Sequence, residues 1–114
     1  MIFAFLDDRG LMVHESLEDA QRNHEGIDVE NGDVRFFDEA GCSLEVVFTQ
    51  ENRRTKLLGV VEIVQQGQFT VRPAASPDPT EFRSQVLRDV AYLHPNRWFA
   101  SLDALRERFS GRTA

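Results

Sequence analysis

Short apolar segments alternate with turn sequences through the first 73 residues of the chain. The strongest turn signal is Asn31-Gly32, because both central residues of a tight type I′ hairpin turn need a positive φ angle. Residues 7–10 and 38–41 have a similar turn composition, and each ends in glycine. Segments of strand length joined by such turns form hairpins. This part of the chain is therefore predicted to be rich in antiparallel strands.

Several of these segments have the length and composition of strands. Residues 27–30 alternate apolar and acidic side chains, which is the pattern of a half-buried strand. Residues 57–64 are rich in β-branched residues and long enough for a central strand, in which Gly59 marks a bulge or a close backbone approach. The full set of predicted strands is 2–6, 11–14, 27–30, 34–37, 44–49, 57–64 and 69–72.

Helix signals are fewer and lie mainly late in the chain. Ser16, with Asp19 three residues later, forms a pair that resembles a capping box, and Gly26 ends the short helix that follows. Three of the four prolines fall within residues 73–79, which connect the strand-rich part to a helical part.

Two further helices are predicted after this connector. Asp78 as N-cap and Pro79 at the first helical position begin a helix that is expected to run to about His94, just before Pro95. Its apolar stripe consists of Phe82, Val86, Val90 and Leu93. The last helix is expected to begin at Ser101 and to bury Leu102, Leu105 and Phe109.

Taken in order, these elements predict one α+β domain over residues 1–114, strand-rich over 1–73 and helical over 78–110. We expect an antiparallel sheet of about five to seven strands, with a short early helix and two C-terminal helices packed on one face. Phenylalanines supply most of the expected core, namely Phe3, Phe5, Phe36, Phe48, Phe69 and Phe82.

Charge is distributed unevenly along the chain, whose formal net charge is −6. Residues 1–45 contain 12 acidic side chains and three arginines, whereas residues 46–114 contain seven acidic and ten basic side chains. Two interpretations remain open. The acidic residues either form an ordinary solvated surface or gather on one face that steers a basic partner.

Recognisable catalytic and metal-binding patterns are lacking. The three histidines have no ligand spacing of a zinc site, and Cys42 lies in an acid-rich turn without a neighbouring base. Scattered single glycines exclude a phosphate-binding loop. Carboxylate pairs such as Asp7 with Asp8 lie in predicted turns, where water keeps carboxyl pKa values ordinary. We therefore predict a protein that is not an enzyme and that needs no metal or cofactor.

Binding to membranes or nucleic acids is also not expected. The longest apolar run is only a few residues, far below the roughly 20 that cross a bilayer, and the N-terminal segment does not have the composition of a signal peptide, so we expect a soluble cytoplasmic protein. Arg53, Arg54 and Lys56 form the only basic cluster, and no aromatic residue lies among them to stack on bases.

One aromatic segment has two alternative interpretations. Tyr92, His94, Arg97 and Trp98 include the only tyrosine and the only tryptophan of the chain. Tyrosine, tryptophan and arginine are enriched at binding hot spots. Large aromatic side chains more often serve a core, so the segment is either a surface site or a corner between the two late helices.

Two stretches carry a resemblance. Residues 25–34, followed by Phe37-Asp38-Glu39-Ala40-Gly41, resemble small uncharacterised bacterial proteins that open with a strand hairpin and a short serine-led helix, and Ser101-Leu102-Asp103-Ala104-Leu105 is similar too. In size and acidity the chain is similar to the immunity proteins of bacterial toxin systems. This resemblance implies neutralisation of a basic protein partner through an acidic face formed by Glu25, Asp28, Glu30, Asp33, Asp38 and Glu39. The alternative is a structural or regulatory module that forms homo-oligomers through strand edges or through the corner around Trp98.

Overall fold

The computed structural model describes residues 1–57, 61–65, 67–76 and 80–109, and for residues 27, 54–57 and 61–65 it describes the backbone. It has the α+β architecture predicted from the sequence. The strands are β1 (Ile2–Leu6), β2 (Gly10–His14), β3 (Val34–Phe37), β4 (Leu44–Gln50), β5 (Arg53–Leu57), β6 (Val61–Gln65), β7 (Gln68–Pro73) and β8 (Tyr92–Leu93). The helices are α1 (Leu17–Arg22), α2 (Gly26–Glu30), α3 (Leu87–Asp89), which continues a π-helical segment (Phe82–Val86), and α4 (Leu102–Arg108). None of these helices is long and apolar enough to span a membrane.

The central sheet has the strand order β3-β1-β2-β8. The strand β1 pairs antiparallel with both β2 and β3, so that Phe3 lies between Val13 and Phe37, whereas β8 runs parallel to β2. The remaining described strands form two separate antiparallel pairs, β4 with β7 and β5 with β6. The prediction of a single antiparallel sheet of five to seven strands is therefore wrong in detail, because half of the strands leave the central sheet.

Both faces of this sheet are buried, because successive side chains of a strand point to opposite faces. On one face lies the helix-side core, formed by Phe3, Leu11, Val13, Phe37, Phe82, Val86, Leu87, Val90, Phe99, Leu105 and Phe109. On the other lies the ribbon-side core, formed by Ile2, Ala4, Ala20, Val29, Val34, Phe36, Phe69 and Val71. The two C-terminal helices share one face as predicted, but the early helix α1 packs through Ala20 on the opposite face.

Serine caps begin the first and the last helix. The Oγ atom of Ser16 accepts a hydrogen bond from the Asp19 backbone N–H at 3.1 Å, and the Asp19 carboxylate accepts one from the Glu15 N–H at 3.1 Å. Ser101 caps α4 through the Ala104 N–H, also at 3.1 Å. These caps satisfy backbone donors that a helix start leaves unpaired, and the predicted capping pair of α1 is confirmed.

Residues 27–30 form part of helix α2, so their prediction as a strand is wrong. Gly32 has the expected positive φ of 80°, but it ends a helix instead of turning a hairpin. The Asp33 N–H donates to the Asp28 carbonyl at 2.9 Å, and the Gly32 N–H donates to the Val29 carbonyl at 3.1 Å. These two hydrogen bonds are typical of a helix C-terminus closed by a left-handed glycine.

The predicted helix over residues 78–94 is shorter in the structure. Its first two residues lie outside the described part of the chain, and the helix ends at Asp89 because Val90 is extended, with a ψ of 125°. The Arg106 side chain covers this end by donating to the carbonyls of Leu87 and Val90, each at 3.0 Å. The following residues then join the sheet as β8, since the His94 N–H donates to the Leu11 carbonyl at 2.9 Å.

The two antiparallel pairs, β4 with β7 and β5 with β6, follow one another along a single long two-stranded ribbon. The register shifts by one residue at a bulge between Phe48 and Gln50. Beyond it Gln50 pairs with Gln68 and, three residues further, Arg53 pairs with Gln65, so the outer half continues the register that follows the bulge. Leu57 ends β5 and Val61 begins its antiparallel partner β6, so the prediction of one central strand over residues 57–64 is wrong. Gly59 lies outside the described residues. The radius of gyration of 15.9 Å exceeds the value of about 13 Å expected for a compact domain of this length, which fits a projecting ribbon.

The two halves of the ribbon meet at a waist formed by Asn52 and Gly67. The Gly67 N–H donates to the side-chain oxygen of Asn52 at 2.6 Å. A Cβ atom at Gly67 would overlap the carbonyl oxygen of Gln50, so this position requires glycine. The Asn52 amide also donates to Glu30 of α2 at 2.8 Å, which ties the waist to the body of the protein.

Candidate acidic binding site

Four aspartates surround an open hollow of about 290 Å³ on the ribbon side of the sheet. Asp7 and Asp8 come from the turn between β1 and β2, Asp28 comes from α2, and Asp33 directly precedes β3. The rest of the lining is Leu6, Met12, His24 and Val34. The hollow therefore combines an acidic rim with an apolar wall, and no lysine or arginine of the described chain lines it.

Sheet register brings these distant aspartates together. Leu6 pairs with Val34 in the antiparallel contact between β1 and β3, so the residues that follow Leu6 lie beside the residue that precedes Val34. The glycine-closed end of α2 then holds Asp28 next to Asp33, because their backbones share a hydrogen bond of 2.9 Å. Three segments of the chain thus place their carboxylates at one edge of the sheet.

Within the described part of the chain, Asp8 is the carboxylate of the four that accepts hydrogen bonds. It accepts hydrogen bonds from the Tyr92 hydroxyl and, at 2.9 Å, from the Gly10 N–H. The Tyr92 hydrogen bond is the main cause that lowers the pKa of Asp8, and the same bond raises the pKa of Tyr92. Within the described residues, Asp7, Asp28 and Asp33 form no ion pair.

Only two of the six acidic residues singled out from the sequence, Asp28 and Asp33, line this hollow. Glu25 lines a neighbouring cleft of about 560 Å³ between the two early helices and β7. Glu30 is the partner of Asn52 at the ribbon waist. These acidic residues therefore do not form one uniform face.

The other two, Asp38 and Glu39, lie at the opposite end of β3 from Asp33. Asp38 is an acceptor within its own turn, because its carboxylate receives the N–H groups of Ala40 at 3.0 Å and Cys42 at 2.8 Å. Glu39 lies 3.6 Å from the N-terminal amino group. These contacts give both side chains a local structural role.

Asp7 and Asp8 are members of the candidate site that the sequence does not predict. Their turn composition predicts ordinary solvated carboxylates, and nothing local distinguishes them from other acidic turn residues. The signal that identifies them is the pairing of Leu6 with Val34, which is a long-range property of the sheet.

A pair of histidines, of which His14 is buried and His24 is partly buried, lies beside the hollow. The Nε2 atoms of His14 and His24 are 2.8 Å apart, and His14 is only 3% exposed. The Nδ1 atom of His14 lies 3.6 Å from the Asp19 carboxylate, which favours a proton on Nδ1. We therefore assign Nε2 of His14 as the acceptor and Nε2 of His24 as the donor.

Burial is the main cause that lowers the pKa of both histidines, and it lowers that of His24 to about 4. Both rings are consequently neutral at pH 7. His24 lines the hollow and also the neighbouring cleft, so it is the member of the pair that a bound molecule would meet. Among the described residues, no three histidine, cysteine or carboxylate side chains are arranged to hold a metal ion.

The aromatic segment that follows β8 is split between the surface and the core. Tyr92 is 41% exposed and Trp98 is 36% exposed, whereas Phe99 is buried in the helix-side core. The Arg97 guanidinium lies 4.8 Å from the centre of the Trp98 ring and also donates to Glu15 at 2.6 Å. Trp98 is therefore a partly exposed surface residue, and Phe99 is the residue that fills the core.

Comparison with known proteins gives no relative. No protein-family model matches the chain, and no curated protein and no solved structure shows a significant similarity to it.

Proposed function

We propose that this protein is a small non-catalytic binding protein, comparable to an immunity protein, that captures a basic protein partner at the hollow formed by Asp7, Asp8, Asp28 and Asp33. The observation that carries the proposal is the convergence of four carboxylates from three separate segments around one open hollow. Three of these carboxylates form no ion pair within the described chain, so their charge is available to a partner.

Electrostatics favours a cationic ligand at this position. Like charges held together repel each other, and the arrival of a lysine or arginine side chain relieves that repulsion while it forms charge-assisted hydrogen bonds. A cluster of one sign also steers an oppositely charged partner and raises its association rate.

The shape of the hollow supports an extended basic side chain. Leu6, Met12 and Val34 offer an apolar wall for the methylene groups of lysine or arginine, whose charged end would reach the carboxylates. Tyr92, which is hydrogen-bonded to Asp8, adds an exposed aromatic ring of the kind enriched at binding hot spots. We propose that the protein meets this partner in the cytoplasm.

A binding role fits the chemistry of the nearest titratable groups better than catalysis does. General acid–base catalysis at neutral pH works best with a pKa near 7. His24, whose pKa is about 4, is a weak base, and His14 behind it is covered by protein. We therefore propose that neither histidine transfers protons in a reaction.

Capture from a lysate of the native host tests the proposal. The tagged protein would be compared with a double variant, Asp28→Asn with Asp33→Asn, at low and at high salt. The matched control is Glu51→Gln with Asp103→Asn, which removes the same charge from two exposed acidic residues outside the hollow. Folding of all three proteins would be checked by circular dichroism.

We expect the unmodified protein to retain a basic protein at low salt and to release it at high salt. The amount retained by the hollow variant should be lower by about tenfold or more, since each charged hydrogen bond contributes about 1.5–3 kcal/mol. The control variant should retain it fully. Equal retention by both variants would overturn the hollow as the binding site.

The alternative function is self-association, and the observation that favours it lies in the outer half of the ribbon, strands β5 and β6. In the part of the chain that the structure describes, no third strand pairs with the outer half of the ribbon, and its residues do not line the acidic hollow.

A further inference from the structure

The outer half of the ribbon consists of the paired strands β5 and β6. In the part of the chain that the structure describes, β5 and β6 form a separate two-stranded sheet, and no other strand pairs with the outer edge of either one. Each outer edge therefore presents backbone N–H and C=O groups that are free to pair with another strand.

The inner half of the ribbon is supported by the body of the protein. Phe69 and Val71 of β7 are buried in the ribbon-side core, and the Val71 N–H donates to the side-chain oxygen of Gln21 in α1 at 2.8 Å. Among the described residues, no strand flanks the outer half on either side beyond the waist. An isolated two-stranded hairpin is marginally stable in water, whereas three or more strands support one another.

The two outer edges differ in charge. The strand β5 contains three basic residues, Arg53, Arg54 and Lys56, so two copies of β5 would repel each other. The strand β6, with the sequence Val-Glu-Ile-Val-Gln, has a single charge and three β-branched residues, which favour strand pairing. The edge that can accept a second copy is therefore that of β6.

We propose that β6 pairs with β6 of a second copy of this chain, antiparallel and about a two-fold axis, so that two ribbons form one four-stranded sheet. With the axis at Ile63, Glu62 lies opposite Val64 of the second copy, and Val61 lies opposite Gln65. No like charges then face each other across the pair, which satisfies the main requirement for cross-strand partners.

This arrangement also closes the assembly. A two-fold contact uses the same surface on both copies, so it stops at a dimer. The two β5 strands become the outer edges of the four-stranded sheet, and their basic residues oppose the addition of further strands, as charged residues do at natural sheet edges. The acidic hollow is not part of this contact, so the inference is independent of the proposed function.

Oligomeric state across a dilution series of the full chain tests the inference. Sedimentation equilibrium from about 1 to 200 μM spans the affinity expected of a small interface. We would compare the unmodified protein with Ile63→Lys on β6 and with Thr55→Lys on β5. Thr55 pairs directly with Ile63, so the control places the same charge on the same rung of the hairpin but on the other strand.

We expect the unmodified protein to be a dimer in the upper part of this range and to remain so in high salt, because the contact relies on backbone pairing. Ile63→Lys places two like charges at the axis and should weaken the dimer at least tenfold, whereas Thr55→Lys should leave it unchanged. A monomer at every concentration, equal weakening by both variants or assembly beyond a dimer would overturn the inference.

Cross-linking gives a second readout that does not depend on the stability of a lysine variant. In a Cys42→Ser background, Ile63→Cys should form an intermolecular disulfide under mild oxidation, because the two positions face each other at the axis. Thr55→Cys in the same background should not. Cross-linking of the Thr55 variant alone, or of neither, would contradict pairing through β6.

Discussion

The helix-side core and the ribbon-side core lie on opposite faces of one four-stranded sheet, but they are built from different side chains. On the helix side, Phe82 stacks on Phe3 with ring centres 4.9 Å apart and meets Phe109 edge-on at 5.1 Å. On the ribbon side, the aromatic Phe36 packs against His24, which is hydrogen-bonded to His14. The helix side is therefore a core of apolar rings, whereas the ribbon side also contains polar side chains, which a purely hydrophobic core would not need.

This difference suggests separate roles for the two faces of the sheet, with stability on the helix side and partner binding on the ribbon side. A core of interlocking rings contributes stability but offers a partner nothing to recognise. The ribbon side, whose margin carries the acidic hollow, accepts partly buried polar groups and repelling carboxylates. Both lower stability, and proteins retain such groups mainly where they serve a function. We therefore expect the two faces to respond differently to substitution.

The largest expected effect is on the helix side. Phe82 is fully buried and its ring packs against those of Phe3, Phe37 and Phe109, so Phe82→Ala should lower the free energy of unfolding by about 3–5 kcal/mol. Phe48, which is only partly buried beside the ribbon-side core, is the matched position, and Phe48→Ala should cost less than half of that. Urea denaturation followed by circular dichroism measures both. Equal losses would remove the distinction between the two cores.

The second prediction concerns pH and applies only to the ribbon side. Because the pKa of His24 is about 4 when folded and 6.5 when unfolded, the unfolded chain binds more protons between these values. The stability that the neutral ring contributes is complete above pH 6.5 and is lost as the pH falls towards 4. The loss from this group amounts to at most about 3 kcal/mol by pH 4.

His24→Gln separates this contribution from that of the nearby carboxylates. Glutamine can keep a hydrogen bond to His14 but does not titrate, so the variant should have a flatter stability profile between pH 6.5 and 4. Denaturation midpoints measured at intervals across this range give the slope. An identical slope in both proteins would show that titration of His24 does not make the stability of the ribbon side depend on pH.

The third prediction has the opposite sign to the first. Asp28→Asn with Asp33→Asn removes repulsion among the hollow carboxylates, so the free energy of unfolding should rise by up to about 1 kcal/mol at low salt. The gain should disappear in high salt, where such repulsion is screened. Thermal denaturation at two salt concentrations measures it. A loss of stability would mean that these carboxylates serve the fold and not a partner.

Local signals in the sequence were sufficient for those elements whose formation depends on neighbouring residues. The caps at Ser16 and Ser101 were predicted, and so were the strands that became β1 and β2. Asn31-Gly32 was misinterpreted because a positive φ serves a hairpin turn and a helix end equally well. Only tertiary context decides between these two, since Val29 is buried when residues 26–30 are helical.

Elements that depend on distant partners could not be predicted in this way. The strand β8 exists because its backbone completes hydrogen bonds to β2, whose paired residues lie 82 positions earlier in the chain, whereas its sequence alone continues a helical stripe. The acidic hollow was only half anticipated for the same reason. Asp28 and Asp33 were chosen for their charge, whereas Asp7 and Asp8 join them through the register of β1 and β3.

The smallest expected effect marks the boundary of the helix-side core. Trp98 is 36% exposed and its ring is covered on one side by Arg97, so Trp98→Ala should lower the free energy of unfolding by about 1 kcal/mol or less. Its neighbour Phe99 is buried, and Phe99→Ala should cost about 3 kcal/mol or more. Parallel urea denaturation of the two variants compares them directly. A loss of several kcal/mol at Trp98 would extend the aromatic core to the surface of the sheet and would leave Tyr92 as the only exposed large aromatic residue of the described chain available to a partner.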